Sequence, residues 1–258
     1  MRDEYRNLIK NTEINDLLLQ LFQKIQSILH EEFVGMYIGG SIANNCFNFV
    51  CSDIDCYVIT SNIPSESIVH EIEKMHKEFY ASKITYAKKI EVSYIPQNDL
   101  LNFDPHGTRP YFNEGNFYMA GYGSNFIIEL FMLREKGICL FGPDIKNLIN
   151  KITTQDLQEA VKKNLKEYWE PSLQNLEKYQ RSDYQAFAIL TMCRTLYTLK
   201  MHNIVSKVEA AQWAIHKLGP NWKLLIEQAL SLNSDLDKPE EAKDFVRYVI
   251  NYSCASHL

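Results

Sequence analysis

Three carboxylates and a glycine-serine turn are the side chains whose types and spacing could do chemistry. Gly39-Gly40-Ser41 is followed, after eleven intervening residues, by Asp53-Ile54-Asp55, which opens the apolar run Cys56-Tyr57-Val58-Ile59. Side chains alternate faces along a strand, so Asp53 and Asp55 are expected to point the same way, with Ile54 on the opposite face. Two carboxylates held together at the end of a buried strand repel each other, and one tends to keep its proton unless a cation sits between them. Hard oxygen ligands favour Mg²⁺, which commonly takes one or two carboxylates plus substrate phosphates. A third acid, Glu91, interrupts the β-rich run Ile90-Glu91-Val92-Ser93-Tyr94-Ile95. If that strand pairs beside the first, three acids on neighbouring strands can clamp two magnesium ions about 3.5–4 Å apart, an arrangement suited to in-line phosphoryl displacement. Gly40 allows backbone N–H groups to approach a phosphate, and the Ser41 hydroxyl adds a donor.

The elements that must position these residues are legible from periodicity. Apolar positions at Ile14, Leu17, Leu18, Leu21, Phe22, Ile25, Ile28 and Leu29 predict an amphipathic helix over residues 12–31. Val34 to Ile38, ended by Gly39-Gly40, reads as a buried strand entering a tight turn, and residues 54–60 as a second strand. Ile68, Ile72, Met75 and Phe79 predict a helix, and Lys89 to Ile95 a third strand. From Pro96 to Ser124 no period is sustained, and the segment reads as a long loop, a kind usually functional or mobile. Asn125 to Lys136 is helical again, capped by Gly137 before the short run Ile138 to Phe141. Beyond residue 153 glycine nearly disappears, and helical periods recur over residues 154–168, 183–201, 206–217 and 239–252. The expected architecture is an α/β domain over residues 1–152, a mixed sheet flanked by helices, followed by an all-α bundle over 153–258.

Composition narrows the classes. The chain has 258 residues, 46% hydrophobic and 23% charged, an ordinary globular composition. Twenty-seven basic and 32 acidic residues give a net charge of −5, with a pI of about 5.8. No basic stripe is visible, which argues against a nucleic-acid partner. An acidic surface suits a cationic small substrate. Met1-Arg2-Asp3-Glu4 lacks the basic cap and apolar core of a signal peptide, and no apolar run approaches the roughly 20 residues of a spanning helix. A cytoplasmic location is expected, with no membrane contact. The six cysteines are then reduced thiols. Cys46, Cys51 and Cys56, five apart with no histidine near, make a poor zinc pattern.

The order Gly-Ser, about a dozen residues, Asp-x-Asp, then a strand-borne acid 36 residues on resembles the nucleotidyltransferase superfamily. The whole chain is most similar to the aminoglycoside adenylyltransferases that modify streptomycin and spectinomycin. Leu140-Phe141-Gly142-Pro143, Thr191-Met192-Cys193-Arg194 and Ser206 to Ala214 carry further likeness. The resemblance implies transfer of AMP from ATP to a drug hydroxyl, with loss of pyrophosphate, by a monomer. It implies that Asp53, Asp55 and Glu91 hold magnesium, that Glu91 is also the general base, and that Ser41 and Ser52 contact the triphosphate. Arg194 and Lys207 of the helical domain would bind phosphates. The capping pattern Ser206-x-x-Glu209 independently places Lys207 in a first helical turn, where N–H groups favour an anion. For the drug, the resemblance points to an aromatic of the long loop, matched by Phe117, and to a tryptophan matched by Trp169, although aromatics chiefly bury area and core packing is the reading of Trp169, Trp213 and Trp222 from residue type. It also points to an acid about three helical turns before the arginine, where Tyr184 and its neighbour Asp183 stand. The spacing from Ser41 to Asp53 is one residue longer than in the streptomycin enzymes, and Pro171 to Ser182 reads as an insertion. Other readings of the same fold are a nucleotidyltransferase acting on a lincosamide or a protein, and a catalytically silent regulatory module.

Overall fold

Seven buried side chains at helical spacing begin the chain's architecture. In the computed structural model, which describes residues 11–49, 52–231 and 236–255, helix α1 (Thr12–Leu29) buries Ile14, Leu17, Leu18, Leu21, Phe22, Ile25 and Leu29. The Asn11 side chain accepts the Ile14 N–H at 3.0 Å and so starts the helix. The predicted helix ran two residues further, into what is a 3₁₀ turn, His30–Glu32. Then come β1 (Phe33–Ile38), the single-turn α2 (Gly40–Ala43), β2 (Ile54–Thr60), α3 (Glu66–Ala81) and β3 (Ile90–Pro96). Next are α4 (Asp99–Asn102), β4 (Thr108–Asn113), β5 (Asn116–Gly121), α5 (Phe126–Lys136) and β6 (Ile138–Phe141).

The six strands form one mixed sheet in the order β5-β4-β3-β2-β1-β6. β2 and β3 are parallel because α3 carries the chain back between them, and the other pairs are antiparallel. Alternation sorts the sheet into two faces. Met36, Ile38, Ile54, Cys56, Val58, Ile90, Val92, Tyr94 and Phe112 join α1 and α3 in one core cluster. The other face carries Asp55, Glu91, Ser93 and Tyr111.

The segment from Pro96 to Ser124 is not the long loop expected. Most of it is the β4–β5 hairpin, closed by Glu114-Gly115 between the register partners Asn113 and Asn116. Both turn residues have positive φ, 49° and 79°, the requirement of a tight turn that matches strand twist. Only Gly115 meets it at no steric cost.

Inside the core, His76 of α3 is fully buried, its Nε2 2.7 Å from the Tyr94 hydroxyl and its ring stacked 4.5 Å from Phe112. Burial pushes its pKa down to about 3, against about 6.5 in an unfolded chain. Because the folded form binds the proton less readily, the stabilisation is whole above about pH 6.5 and drains away as pH falls toward 3, at up to about 1.4 kcal/mol per pH unit. Thermal midpoints should therefore fall on acidification through this window, and His76→Phe should flatten that fall. An unchanged acid limb in the variant would contradict the assignment.

A second compact unit comprises Ser124–Ile128 and Ile152–Leu258, the first being Met1–Gly123 with Glu129–Lys151. Helix α6 (Thr154–Asn164) starts with a capping box between Thr153 and Asp156. It widens into a π segment, Leu165–Trp169, in which the Glu170 N–H reaches back five residues to Leu165 O. Pro171, at the start of α7 (Glu170–Ser172), has no N–H to continue the regular ladder. Then follow α8 (Leu176–Gln180), α9 (Ser182–Met201), α10 (Lys207–Lys217), α11 (Pro220–Leu230) and α12 (Pro239–Ala255). Ala210, Ala211 and Ala214 give α10 a small-residue face in the buried core that also holds Ile189, Met192, Cys193 and Leu196 of α9 and Phe245 of α12. The segment read as an insertion holds α8 and parts of its flanking helices, and α11 was not foreseen. Among the described residues no helix is long and apolar enough to cross a membrane, and Cys46, Cys56, Cys139, Cys193 and Cys254 form no disulfide with one another.

Candidate active site

The parallel register of β2 and β3 pairs Asp55 directly with Glu91. Both side chains therefore leave the same sheet face as cross-strand neighbours. Asp53 stands one residue before β2 rather than within it, and is exposed at the strand's entry. The difference arises because the β2–β3 ladder begins at Ile54↔Ile90.

The glycine turn is built onto the same spot. The Gly39 N–H donates to Asp55 O at 2.9 Å, tying the end of β1 to β2. Gly40 has φ +55, and a Cβ placed on it would lie 1.7 Å from Asp55 Oδ2. No side chain fits there. The next residue, Ser41, has a buried Oγ without a hydrogen-bond partner among the described residues. A buried, unsatisfied hydroxyl costs stability, and here it stands one residue from a glycine pressed against the carboxylate pair. Ser52 closes the preceding loop instead: its Oγ accepts the Asn48 N–H at 3.0 Å, and the Lys89 ammonium lies 3.4 Å from its carbonyl oxygen.

The electrostatics of the face are those of crowded acids. Burial, then repulsion from Asp55, pushes the Glu91 pKa up to about 8; Asp53 and Glu129 add to the rise, and a hydrogen bond from the Tyr111 hydroxyl opposes it. Such a carboxyl keeps its proton near neutrality unless positive charge arrives. Among the described residues no three potential ligands are gathered into a ready-made metal cage. The oxygen donors nonetheless fit Mg²⁺, an ion that is typically completed by waters and substrate phosphates rather than by protein alone. The partnerless Ser41 hydroxyl beside them fits the anionic half of such a complex.

The aromatic expected from the hairpin falls on the wrong face. Phe117 packs into the α3-facing core, near His76, so its ring is not displayed beside the carboxylates. Strand parity gives that place to Tyr118, which is 46% exposed and lies 5.5 Å from the Tyr111 ring. Sequence reasoning missed Tyr111, Tyr118 and the buried Arg109; the alternation in Thr108 to Asn113 was the available signal.

In the helical unit, Ser206 caps α10 by accepting the Glu209 N–H at 3.1 Å, so Lys207 does begin the helix. Its ammonium sits 4.1 Å from the centre of the Phe187 ring. Phe187 is exposed and precedes Arg194 by seven residues on α9, which puts both on one helix face. Asp183 is held by Arg181, with contacts of 2.5 and 3.1 Å, and these keep its carboxyl below the usual range. Tyr184 is half-buried against Trp169 and Tyr179.

Trp169 is only 2% exposed and belongs to the core of this unit, so it offers no open face for stacking a substrate. A large ring so buried should cost about 3–5 kcal/mol on truncation. Trp169→Ala is expected to lower the denaturant midpoint by a corresponding amount. A near-native midpoint with impaired substrate binding would restore the ligand role.

Comparison with known proteins adds the following. Residues 147–256 match the family model described as aminoglycoside adenylyltransferase, C-terminal domain. The spectinomycin 9-adenylyltransferase of Campylobacter jejuni is 28% identical over 229 residues, 84% of this chain and 85% of the relative. The protein of that name from Staphylococcus aureus is 24% identical over 242 residues, 86% of each chain. A crystal structure of the spectinomycin adenyltransferase AAD(9) from Enterococcus faecialis with ATP and spectinomycin superposes with a TM-score of 0.73. That match covers 93% of this chain and 98% of the other at 18% identity, a likeness of fold.

Proposed function

We propose that the chain is a nucleotidyltransferase of the aminoglycoside adenylyltransferase type, whose C-terminal domain model its residues 147–256 match, and that it moves AMP from ATP to a hydroxyl of an aminocyclitol antibiotic of the spectinomycin or streptomycin class. The observation that carries this reading is the Asp55–Glu91 pairing beneath Gly40 and the partnerless Ser41 hydroxyl. Asp53, Asp55 and Glu91 would hold magnesium, with ligands for two ions once the triphosphate is bound, and the metal would neutralise phosphate charge.

The remaining steps belong to the chain's own side chains. Glu91 takes the proton of the drug hydroxyl as its oxygen bonds to the α-phosphorus, while the bond from that phosphorus to the pyrophosphate oxygen breaks. Ser41 donates to a phosphate oxygen, and Gly40 keeps the backbone close because it has no Cβ. Ser52, Arg194 and Lys207 are the further phosphate contacts, Lys207 from the first turn of α10, where the helix end also favours an anion. Asp183 is the acid we assign to the cationic drug, as the resemblance implies. In this reading the enzyme works as a cytoplasmic monomer and needs no nucleic acid.

The test is magnesium-dependent release of pyrophosphate from ATP across a panel of aminocyclitols, lincosamides and proteins. Release with spectinomycin or streptomycin is expected. Release only with a lincosamide or a protein would redirect the substrate assignment, and none at all despite nucleotide binding would favour a silent regulatory module.

A further inference from the structure

We infer that Tyr111 is a positioning residue that holds the Glu91 carboxylate for its part in the reaction, an assignment resting on the adenylyl-transfer reading above. The β3–β4 register pairs Tyr111 with Ser93. Ser93 is two residues beyond Glu91 on β3, so all three side chains share one face. From there the Tyr111 hydroxyl donates to Glu91 Oε1. The contact engages one carboxylate oxygen and leaves the other for the reacting hydroxyl or a cation.

The phenol does not reach Glu91 by chance of rotamer, because two neighbours pack near its ring. The Tyr118 ring lies 5.5 Å away at a 58° tilt. The Arg109 guanidinium carbon lies 5.7 Å from the Tyr111 ring centre. Arg109 is itself only 3% exposed and is anchored three ways: to Ser93 Oγ at 2.6 Å, Gly121 O at 3.1 Å and Glu129 at 3.3 Å. A charge-assisted network of this kind fixes the ring before substrate arrives. The hydroxyl then restrains the acid that must meet a hydroxyl group within hydrogen-bonding distance.

Tyr111→Phe keeps the ring and deletes the hydroxyl. Its kcat should fall about 10- to 100-fold through misplacement of Glu91, while the KM for ATP, magnesium-nucleotide affinity by calorimetry and the melting temperature of the unliganded protein stay at wild-type values. Because the hydroxyl acts only through Glu91, the double variant Tyr111→Phe/Glu91→Gln should be no slower than Glu91→Gln alone. Multiplicative losses in the double variant, or a kcat loss matched by an equal loss of folded protein, would overturn the inference. So would wild-type kcat in Tyr111→Phe beside an inactive Glu91→Gln. A fully active Glu91→Gln would instead overturn the reading on which the inference stands.

Discussion

Replacing Glu91 by glutamine should lower kcat by roughly 10²–10⁴-fold, the usual contribution of a positioned general base, while leaving ATP binding close to wild type. Glutamine keeps the shape of the side chain, and its amide oxygen can still accept the Tyr111 hydroxyl that Glu91 accepts. What it loses is the ability to take a proton. The surroundings explain why the acid is suited to that task only in the assembled complex. Burial and the neighbouring Asp55 hold its pKa up at about 8, so alone it stays largely protonated near neutrality. Positive charge brought to the Asp53–Asp55–Glu91 cluster favours the ionised form, which is the form that can act as a base. Single-turnover rates with saturating ATP and drug, read beside a nucleotide-binding isotherm, check the expectation. Equal rates for variant and wild type would remove Glu91 from the mechanism.

Gly40→Ala should be nearly as damaging, by a different route. The new methyl would sit 1.7 Å from Asp55 Oδ2, so either the carboxylate or the turn must move. The backbone at φ +55 adds about 1–2 kcal/mol of strain for a residue with a Cβ. Because the displaced group is a proposed magnesium ligand, turnover should drop about 10²-fold or more, as an ångström-scale misplacement in an active site can cause. The melting temperature should fall by only about 2–8 °C. Gly121→Ala is the control, since nothing lies within 4 Å of a Cβ there; it should retain activity. Full activity in Gly40→Ala would mean that this turn does not need to press on the carboxylate.

The two carboxylate strands were readable because their pattern obeys one rule, the two-residue alternation of a strand. That rule put Asp55 on a polar face, and the parallel β2–β3 register then set Glu91 beside it. The register itself could not be read from spacing, because it depends on α3 returning the chain over the core side of the sheet. The hairpin was opaque for a local reason. Its turn places Glu114 at φ 49, where Asn or Asp would have signalled the bend, and Pro110 interrupts the first strand. With the strands unrecognised, there was no parity by which to separate Phe117, on the core side, from Tyr118, on the carboxylate side. In the helical unit the periods of α9 and α10 were plain, and burial of Trp169 agrees with the tendency of large aromatics to bury area; which neighbours bury it was not legible. Its position is set by Tyr168, Tyr184 and Phe187 packing around it, contacts that arise from tertiary structure rather than from any spacing around residue 169. Helix α11 was missed because Gly219-Pro220 looks like loop punctuation, whereas the proline stands at the helix start, a position it favours.

The most direct measurement is the mass of spectinomycin after incubation with the protein, ATP and magnesium. If the acids under the glycine-serine turn carry out adenylyl transfer to this class of drug, the antibiotic gains the mass of one AMP, one pyrophosphate appears per drug modified, and Asp55→Asn abolishes both. An antibiotic of unchanged mass across the aminocyclitol panel, or the same gain with Asp55→Asn, would contradict the account.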